Sequence, residues 1–249
     1  MFIVTLLVIF TGFELLHPAQ GRQGFKGRLR NIGYGVFVLS VGAFVATLAL
    51  SVLPFSFHAH QGFTLSQSAL YAMAFIALND LGYYWYHRAQ HKSRALWALH
   101  ELHHSDREMN ASTSYRTYWL DYPAQAIIIN APVLLILGTD PRGLVFMIGF
   151  SLLILTFSHA NIRLHLGIFS RVLVGPQLHR IHHSILPQHR EKNLAQVFPI
   201  YDILFGTYYH PQKDEYPPTG TATLANNAPY LDVMARPFET WWNMFHKGR

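Results

Sequence analysis

The sequence predicts an all-α integral membrane bundle of four to five spans with a cytosolic helical cap that carries clustered histidines. Three observations lead there. Only 13% of the 249 residues are charged, against about 25% in an ordinary soluble protein. The apolar residues gather in long blocks, as helices facing hydrocarbon require. Eight of the sixteen histidines fall in three tight clusters that follow apolar runs.

Taken in order, residues 2–16 (FIVTLLVIFTGFELL) are apolar except for Thr5, Thr11 and Glu14. With no basic leader and no small-x-small cleavage site they read as an anchor rather than a signal peptide, though the stretch is short for a span. The segment HPAQGRQGFKGRLRN, with Arg22, Lys26, Arg28 and Arg30, reads as a cytoplasmic loop. Residues 32–53 are the clearest span, 54–66 hold no Lys or Arg and suit the opposite side, and 67–86 return across. The runs 122–137 and 143–160 are separated by GTDPR, whose Gly, Asp and Pro make a tight turn, so they read as a helical hairpin. Residues 87–121 and 161–249 then form the cap, and of nineteen Lys and Arg only Arg142 lies outside.

A net charge of +6 placed beside apolar spans points to anionic lipid headgroups and not to nucleic acid. The absence of cysteine excludes disulfides, thiolate metal sites and a cysteine nucleophile. Without linkers, repeats or low-complexity tracts, residues 1–249 read as one domain.

The clusters are HxxxH (His87, His91), HxxHH (His100, His103, His104) and a second HxxHH (His179, His182, His183). On a helix, positions i, i+3 and i+4 share a face, so each cluster is expected to aim its imidazoles one way. Ser93 suits the cap of a helix carrying Ala95 to His104, and Pro176 the first turn of one carrying His179 to His183. Eight imidazoles exceed the needs of one zinc ion and match two adjacent metal ions with positions left open. His159, ending the fifth apolar run, is a candidate ninth ligand.

Asp80 is an ionisable group in an otherwise apolar run, where it is costly and usually functional. It shares a helix face with Tyr84, His87 and His91 and is expected to orient a ligand histidine or a partner cation. Asn161 and Asp202, the latter in FPIYDILFGTYYHPQ, are expected beside the site. The tail RPFETWWNMFHKGR suits an interfacial amphipathic helix or a packed C-terminal one.

In the order HxxxH, HxxHH, HxxHH, the clusters resemble those of the fatty acid hydroxylase and sterol desaturase superfamily of integral membrane di-iron enzymes. DLGYYWYHRAQH, LWALHELHHSDREMNASTSYR, FSHANI, PQLHRIHHS and YDILFGTYY resemble that family's segments in the family's order, over residues 14–210. EKNLAQVFPIYD departs from it, since the family more often has an aromatic and a glycine after the residue matching Asn193.

The resemblance implies that the eight clustered histidines, with His159, hold two iron ions, zinc being able to replace them in purified protein. It implies O2 as co-substrate and hydroxylation or desaturation of a C–H bond in a lipid or sterol-like substrate. No nucleotide fingerprint and no flavin or haem motif is present, so electrons are expected from a separate cytochrome- or ferredoxin-type donor docking on the basic cytoplasmic face. A bacterial inner membrane is the expected location ahead of the endoplasmic reticulum, with the clusters cytoplasmic in either.

Two other readings compete. His100, Glu101 and His104 satisfy the HExxH signature of zinc metalloproteases, which leaves the other histidines unexplained. A metal transporter or sensor would place its ionisable groups near the midplane, often in repeated halves.

Overall fold

The computed structural model describes residues 1–21, 24–53, 57–224 and 228–247, among which every regular element is a helix and none is a β-strand. Arg22, residues 54–56 of the expected outer loop, and Gly248 and Arg249 of the tail lie outside the described residues.

Helix α1 covers Phe2–Leu16. Helix α2 runs Phe25–Val52, with one wider π turn at Val38–Gly42. The basic loop is therefore shorter than expected, because Lys26, Arg28 and Arg30 form the first turns of α2. Both residue types are good helix formers, and Arg28 is drawn inward by an ion pair with Glu14 at 2.6 Å.

Helix α3, Leu65–Lys92, opens on a capping box between Thr64 and Gln67 and continues unbroken through His87 and His91. Ser93 ends it and caps α4 (Arg94–His104), its Oγ accepting from the Leu96 amide at 3.5 Å. Helices α5 (Asp121–Leu137) and α6 (Pro141–His159) form the expected hairpin. Gly138 turns it at a φ of 68°, and Asp140 Oδ2 accepts from the Gly143 amide at 2.8 Å. Three shorter or later helices follow: α7 (Pro176–His182), α8 (Ile200–Leu204) and α9 (Tyr230–Lys247).

Helices α2 and α6 are long and apolar enough to cross a membrane, while α1 and α5 are apolar but shorter. Only 22% of the apolar window of α2, and of α6, is buried, whereas the core helix of a soluble protein is mostly buried.

Contacts at the two ends make the long helices alternate in direction. At one end Glu14 of α1 pairs with Arg28 of α2, and accepts the amides of Ala111 at 2.7 Å and of Asn161, just past α6, at 2.8 Å. At the other, Ala59 bridges to Thr139 and Tyr71 of α3 donates to the Gly138 carbonyl at 2.8 Å. The histidine-bearing ends of α3 and α6 thus lie together.

Helix α9 packs on α4. Val233 joins a core with Tyr34, Leu102 and Tyr118, and Trp241 Nε1 donates to the Ala95 carbonyl at 2.8 Å. Beside that packed face runs an exposed apolar stripe of Leu231, Phe238, Trp242 and Phe245.

Glu14 serves a buried guanidinium and two amides at once. Glu14→Ala is expected to lower stability by about 3–5 kcal/mol, the range for stranding one partner of a buried ion pair, as read from unfolding in detergent. Glu14→Gln, which keeps an acceptor oxygen, should lose less. An unshifted transition for Glu14→Ala would contradict this role.

Candidate metal centre

Nine histidines meet at that end: His87 and His91 from α3, His100, His103 and His104 from α4, His159 from α6, and His179, His182 and His183 from α7 and its C-cap. They form two groups, His87, His91, His100, His104 and His182, and His103, His159, His179 and His183. Within each group one ring nitrogen per residue lies within 4.8 Å of the others.

The shared helix face does not send a whole cluster to one group. Each HxxHH gives its i, i+4 pair to one group and its i+3 member to the other: His100 and His104 separate from His103, and His179 and His183 from His182. At 3.6 residues per turn, i+4 sits about 40° to one side of i and i+3 about 60° to the other. The groups therefore flank shared ridges of α4 and α7. His104 and His183 stack where the groups adjoin, with ring centres 4.2 Å apart.

Hydrogen bonds assign the protons. Nδ1 of His87 meets the Leu194 carbonyl at 2.7 Å, His103 that of Arg116 at 3.3 Å, His159 that of Leu155 at 2.7 Å and His182 that of Lys192 at 3.0 Å. A carbonyl only accepts, so Nδ1 carries the proton and Nε2 of each neutral ring is a bare lone pair. Burial pulls His103 down to about 4 and His182 to about 3. Burial, reinforced by neighbouring imidazoles, takes His100, His104, His179 and His183 well below the usual range. The rings are neutral at physiological pH.

Yet the Nε2 atoms converge. His87 and His100 are 2.8 Å apart, His104 and His100 3.1 Å, His159 and His103 3.1 Å, and His179 and His159 3.0 Å. His103 and His159 both have Nδ1 committed to a carbonyl, so no proton stands between their facing nitrogens. Lone pairs at that separation repel unless they share a cation. Nitrogens about 2.1 Å from one six-coordinate ion lie about 3 Å apart, so the spacing fits ligands of a common metal. Nε2 of His182 is buried with no protein partner, as a ligand nitrogen would be. An all-imidazole donor set suits first-row transition metals such as iron and zinc.

The expected supporting residues act at one remove. Asp80 hydrogen-bonds to no histidine among the described residues; it accepts the amides of Gln196 at 2.9 Å, Val197 at 3.2 Å and Phe198 at 2.6 Å. Asp202 accepts those of Leu194 at 2.7 Å and Ala195 at 2.9 Å. Two carboxylates thus hold five successive amides, and the Leu194 carbonyl at the head of this strap receives His87. Burial pushes the Asp202 carboxyl upward, opposed by the hydroxyl of Thr207 and these amides. Tyr84 meets Thr207 at 2.9 Å, and Thr207 donates to Asp202 at 2.7 Å. Asn161 accepts from Arg180 Nη2 at 2.8 Å and from the Gln20 amide at 3.0 Å, tying α7 to the segment after α1. Asn193 enters the strap at a φ of 54°, a left-handed conformation Asn tolerates well.

Glu101 of the HExxH pattern points away from both groups, paired with Arg236 at 2.8 Å and hydrogen-bonded by Thr223. His165 bonds Gln177 at 2.8 Å and stands outside the groups.

A cavity of about 210 Å³ reaches His100, His103, His159 and His179 from a wall that includes Val38, Leu39, Leu152 and Leu155. Gly35 borders it so closely that a Cβ there would lie 2.7 Å from Cβ of Tyr115. Sequence reasoning missed Asp121, a buried residue on this cavity that accepts from Tyr86 and Gln90 at 2.7 Å and from Gln125 at 2.8 Å. Its only signal was a carboxylate at the edge of an apolar run.

The model of the fatty acid hydroxylase family matches residues 72–207. The chain is similar to alkylglycerol monooxygenase of Danio rerio, 33% identical over 150 residues, covering 57% of this chain and 31% of that protein. It is likewise similar to the human alkylglycerol monooxygenase, 33% identical over 136 residues (52% and 28%). The ornithine lipid hydroxylase OlsE of Rhizobium tropici is 27% identical over 195 residues, 78% of this chain and 57% of that protein. The chain thus spans under a third of those two monooxygenases and over half of the bacterial protein. No solved structure matches it.

If Asp80 and Asp202 brace one strap, Asp202→Asn and Asp80→Asn should each cost about 1–3 kcal/mol through unsatisfied buried amides, and the double variant less than the sum. A strictly additive double-mutant cycle in denaturant unfolding would mean that they act independently.

Proposed function

The chain belongs to the fatty acid hydroxylase family, and we propose that it is a membrane-bound di-iron oxygenase that uses O2 and external electrons to hydroxylate or desaturate a C–H bond of a lipid or sterol-like substrate. The observation that carries this reading is the pair of unprotonated Nε2 atoms of His103 and His159 facing each other at 3.1 Å inside a nine-imidazole cluster.

In this reading the five-histidine group holds one iron and the four-histidine group the other. When bound, the metal pair supplies the activation of dioxygen needed to oxidise an unactivated C–H bond. The chain's part is positioning. Backbone carbonyls fix four rings in the tautomer that presents Nε2. Val38, Leu39, Leu152 and Leu155 offer an apolar wall for an alkyl chain and keep water from the cluster, with Ser114, Thr117, Asp121, Gln125 and Gln196 among the polar points in that cavity. The names of the alkylglycerol monooxygenases and of the ornithine lipid hydroxylase support a lipid substrate.

We read the chain as one domain of four to five spans. Helices α1, α2, α5 and α6 and the apolar part of α3 cross, and residues 87–121 and 161–249 form a cytoplasmic cap, in a bacterial inner membrane. The alternating helix directions and the gathering of basic residues near the histidine end support this topology. A separate cytochrome- or ferredoxin-type protein supplies the electrons.

The protease alternative needs a general base, and Glu101 is instead held by Arg236 and Thr223. The transporter alternative needs sites within the spans, and here the histidines cluster at helix ends.

Protein from iron-supplemented cells is expected to carry two metals per chain, lost together in the His103→Ala, His182→Ala variant, which removes one ligand from each group. The loaded wild type should form an O2-dependent hydroxylated or desaturated lipid. A single zinc surviving the double substitution would sink the oxygenase reading. Glu101→Gln separates the classes further, because it should retain oxidation, whereas a metalloprotease would lose all turnover.

A further inference from the structure

The two histidine groups have different surroundings. Three of the four residues of the second group, His103, His159 and His179, line the cavity; of the first group only His100 does. The first group faces Trp97 instead. The indole ring centre is 5.2 Å from that of His91, 5.3 Å from His104 and 6.1 Å from His100. Trp97 is half-buried, and His91 is the one histidine of the nine that is not fully buried. The cluster is least enclosed at His91. The rim is cationic: Lys92, with 54% of its side chain exposed, and the exposed Arg94 flank the turn between α3 and α4, and Arg190 adjoins Glu191, the partner of Lys92 at 3.8 Å.

We propose that this face is where electrons enter, an acidic one-electron donor protein docking over Trp97, Lys92 and Arg94 while the second histidine group is left to the substrate. The proposal rests on reading the histidines as a metal site. With a metal held by the first group, each transfer would take one electron from the donor's redox group to that metal; the indole would be unchanged, neither gaining nor losing a proton. Electronic coupling falls steeply across gaps, and an aromatic ring in contact with three ligand rings shortens the gap between the surface and the first group. The cationic rim steers an acidic partner, an effect that weakens with salt. Trp97 is thus a positioning residue for electron delivery, and the site is polarised, with electrons arriving at one group and the alkyl chain at the other.

The test uses the iron-loaded full chain in nanodiscs: wild type, Trp97→Phe, Trp97→Leu, and Lys92→Glu combined with Arg94→Glu. Each is mixed anaerobically with reduced plant-type ferredoxin as an acidic one-electron probe, and reduction is followed by rapid-mixing spectroscopy. Metal content and midpoint potential are measured in parallel, since a merely structural role would move those. The expected result is unchanged metal and potential, slower reduction in Trp97→Phe and slower still in Trp97→Leu. The charge-reversal variant should fall about tenfold in second-order rate at low salt and lose the wild type's salt dependence.

Equal rates in wild type and Trp97→Leu, at equal metal content and potential, would overturn the proposal and leave the two-metal reading standing. If Trp97→Leu loses iron, the conservative Trp97→Phe and the salt dependence decide: no slowing and no salt effect overturn the proposal. Wild-type protein that takes up no metal overturns both readings.

Discussion

Bare nitrogen lone pairs repel, and the rest of this structure is arranged to hold nine imidazoles together in spite of it. The repulsion is not relieved by protonation, because burial opposes a positive charge on His103 and His182, helped by the Arg116 guanidinium at the first and by the His103 ring at the second. Nor can the rings simply turn over, since four of them have Nδ1 tied to a backbone carbonyl. Those carbonyls belong to Arg116, to Leu155, and to Lys192 and Leu194, in three different parts of the chain. The cluster is thus specified less by the histidines than by the backbone that receives their far side.

That backbone is itself unusual in needing charged anchors. Residues 194–198 carry five amides in a largely buried segment without helix or ladder partners, and unpaired buried amides are costly. Asp80 and Asp202 satisfy all five. The same device recurs on the other side, where Glu14 binds the amides of Ala111 and Asn161 and the Arg28 guanidinium. Carboxylates that interrupt apolar runs are here the fasteners between helix ends and irregular segments. They stand where the apolar bundle meets the polar cluster, the one level at which a buried charge finds enough donors.

What was legible in the sequence follows from this division. Helix identity, the capping by Ser93, the Gly138 turn and the gathering of the clusters at one end depend on local periodicity and on the alternation of apolar runs, which a sequence displays directly. The start of α2 was misplaced because charge was read as loop, whereas Arg28 is held in the helix by Glu14, a partner that only tertiary structure supplies. Asp80 was singled out by its cost in an apolar run, but its partners lie 116 or more residues further along the chain. The partition of each HxxHH between two groups was equally hidden. Angular spacing on one helix predicts a common face, and only the placement of α3, α6 and α7 against α4 decides that His103 turns one way and His104 the other.

The partition has a consequence for how the fold and its site depend on each other. If each HxxHH served one group, each group could form from nearly local sequence and survive loss of the other. Instead α4 and α7 each contribute to both, so a displacement of either helix opens both groups at once. An ion shared by facing nitrogens would therefore do more than occupy a finished pocket: it would convert repulsion between α3, α4, α6 and α7 into attraction at the point where those helices meet. Because ligand nitrogens so arranged do not exist in the unfolded chain, the free energy of binding such an ion would become stability of the folded one. The apolar bundle explains why the helices stand side by side; the lone pairs they share explain why their polar ends must close on one another.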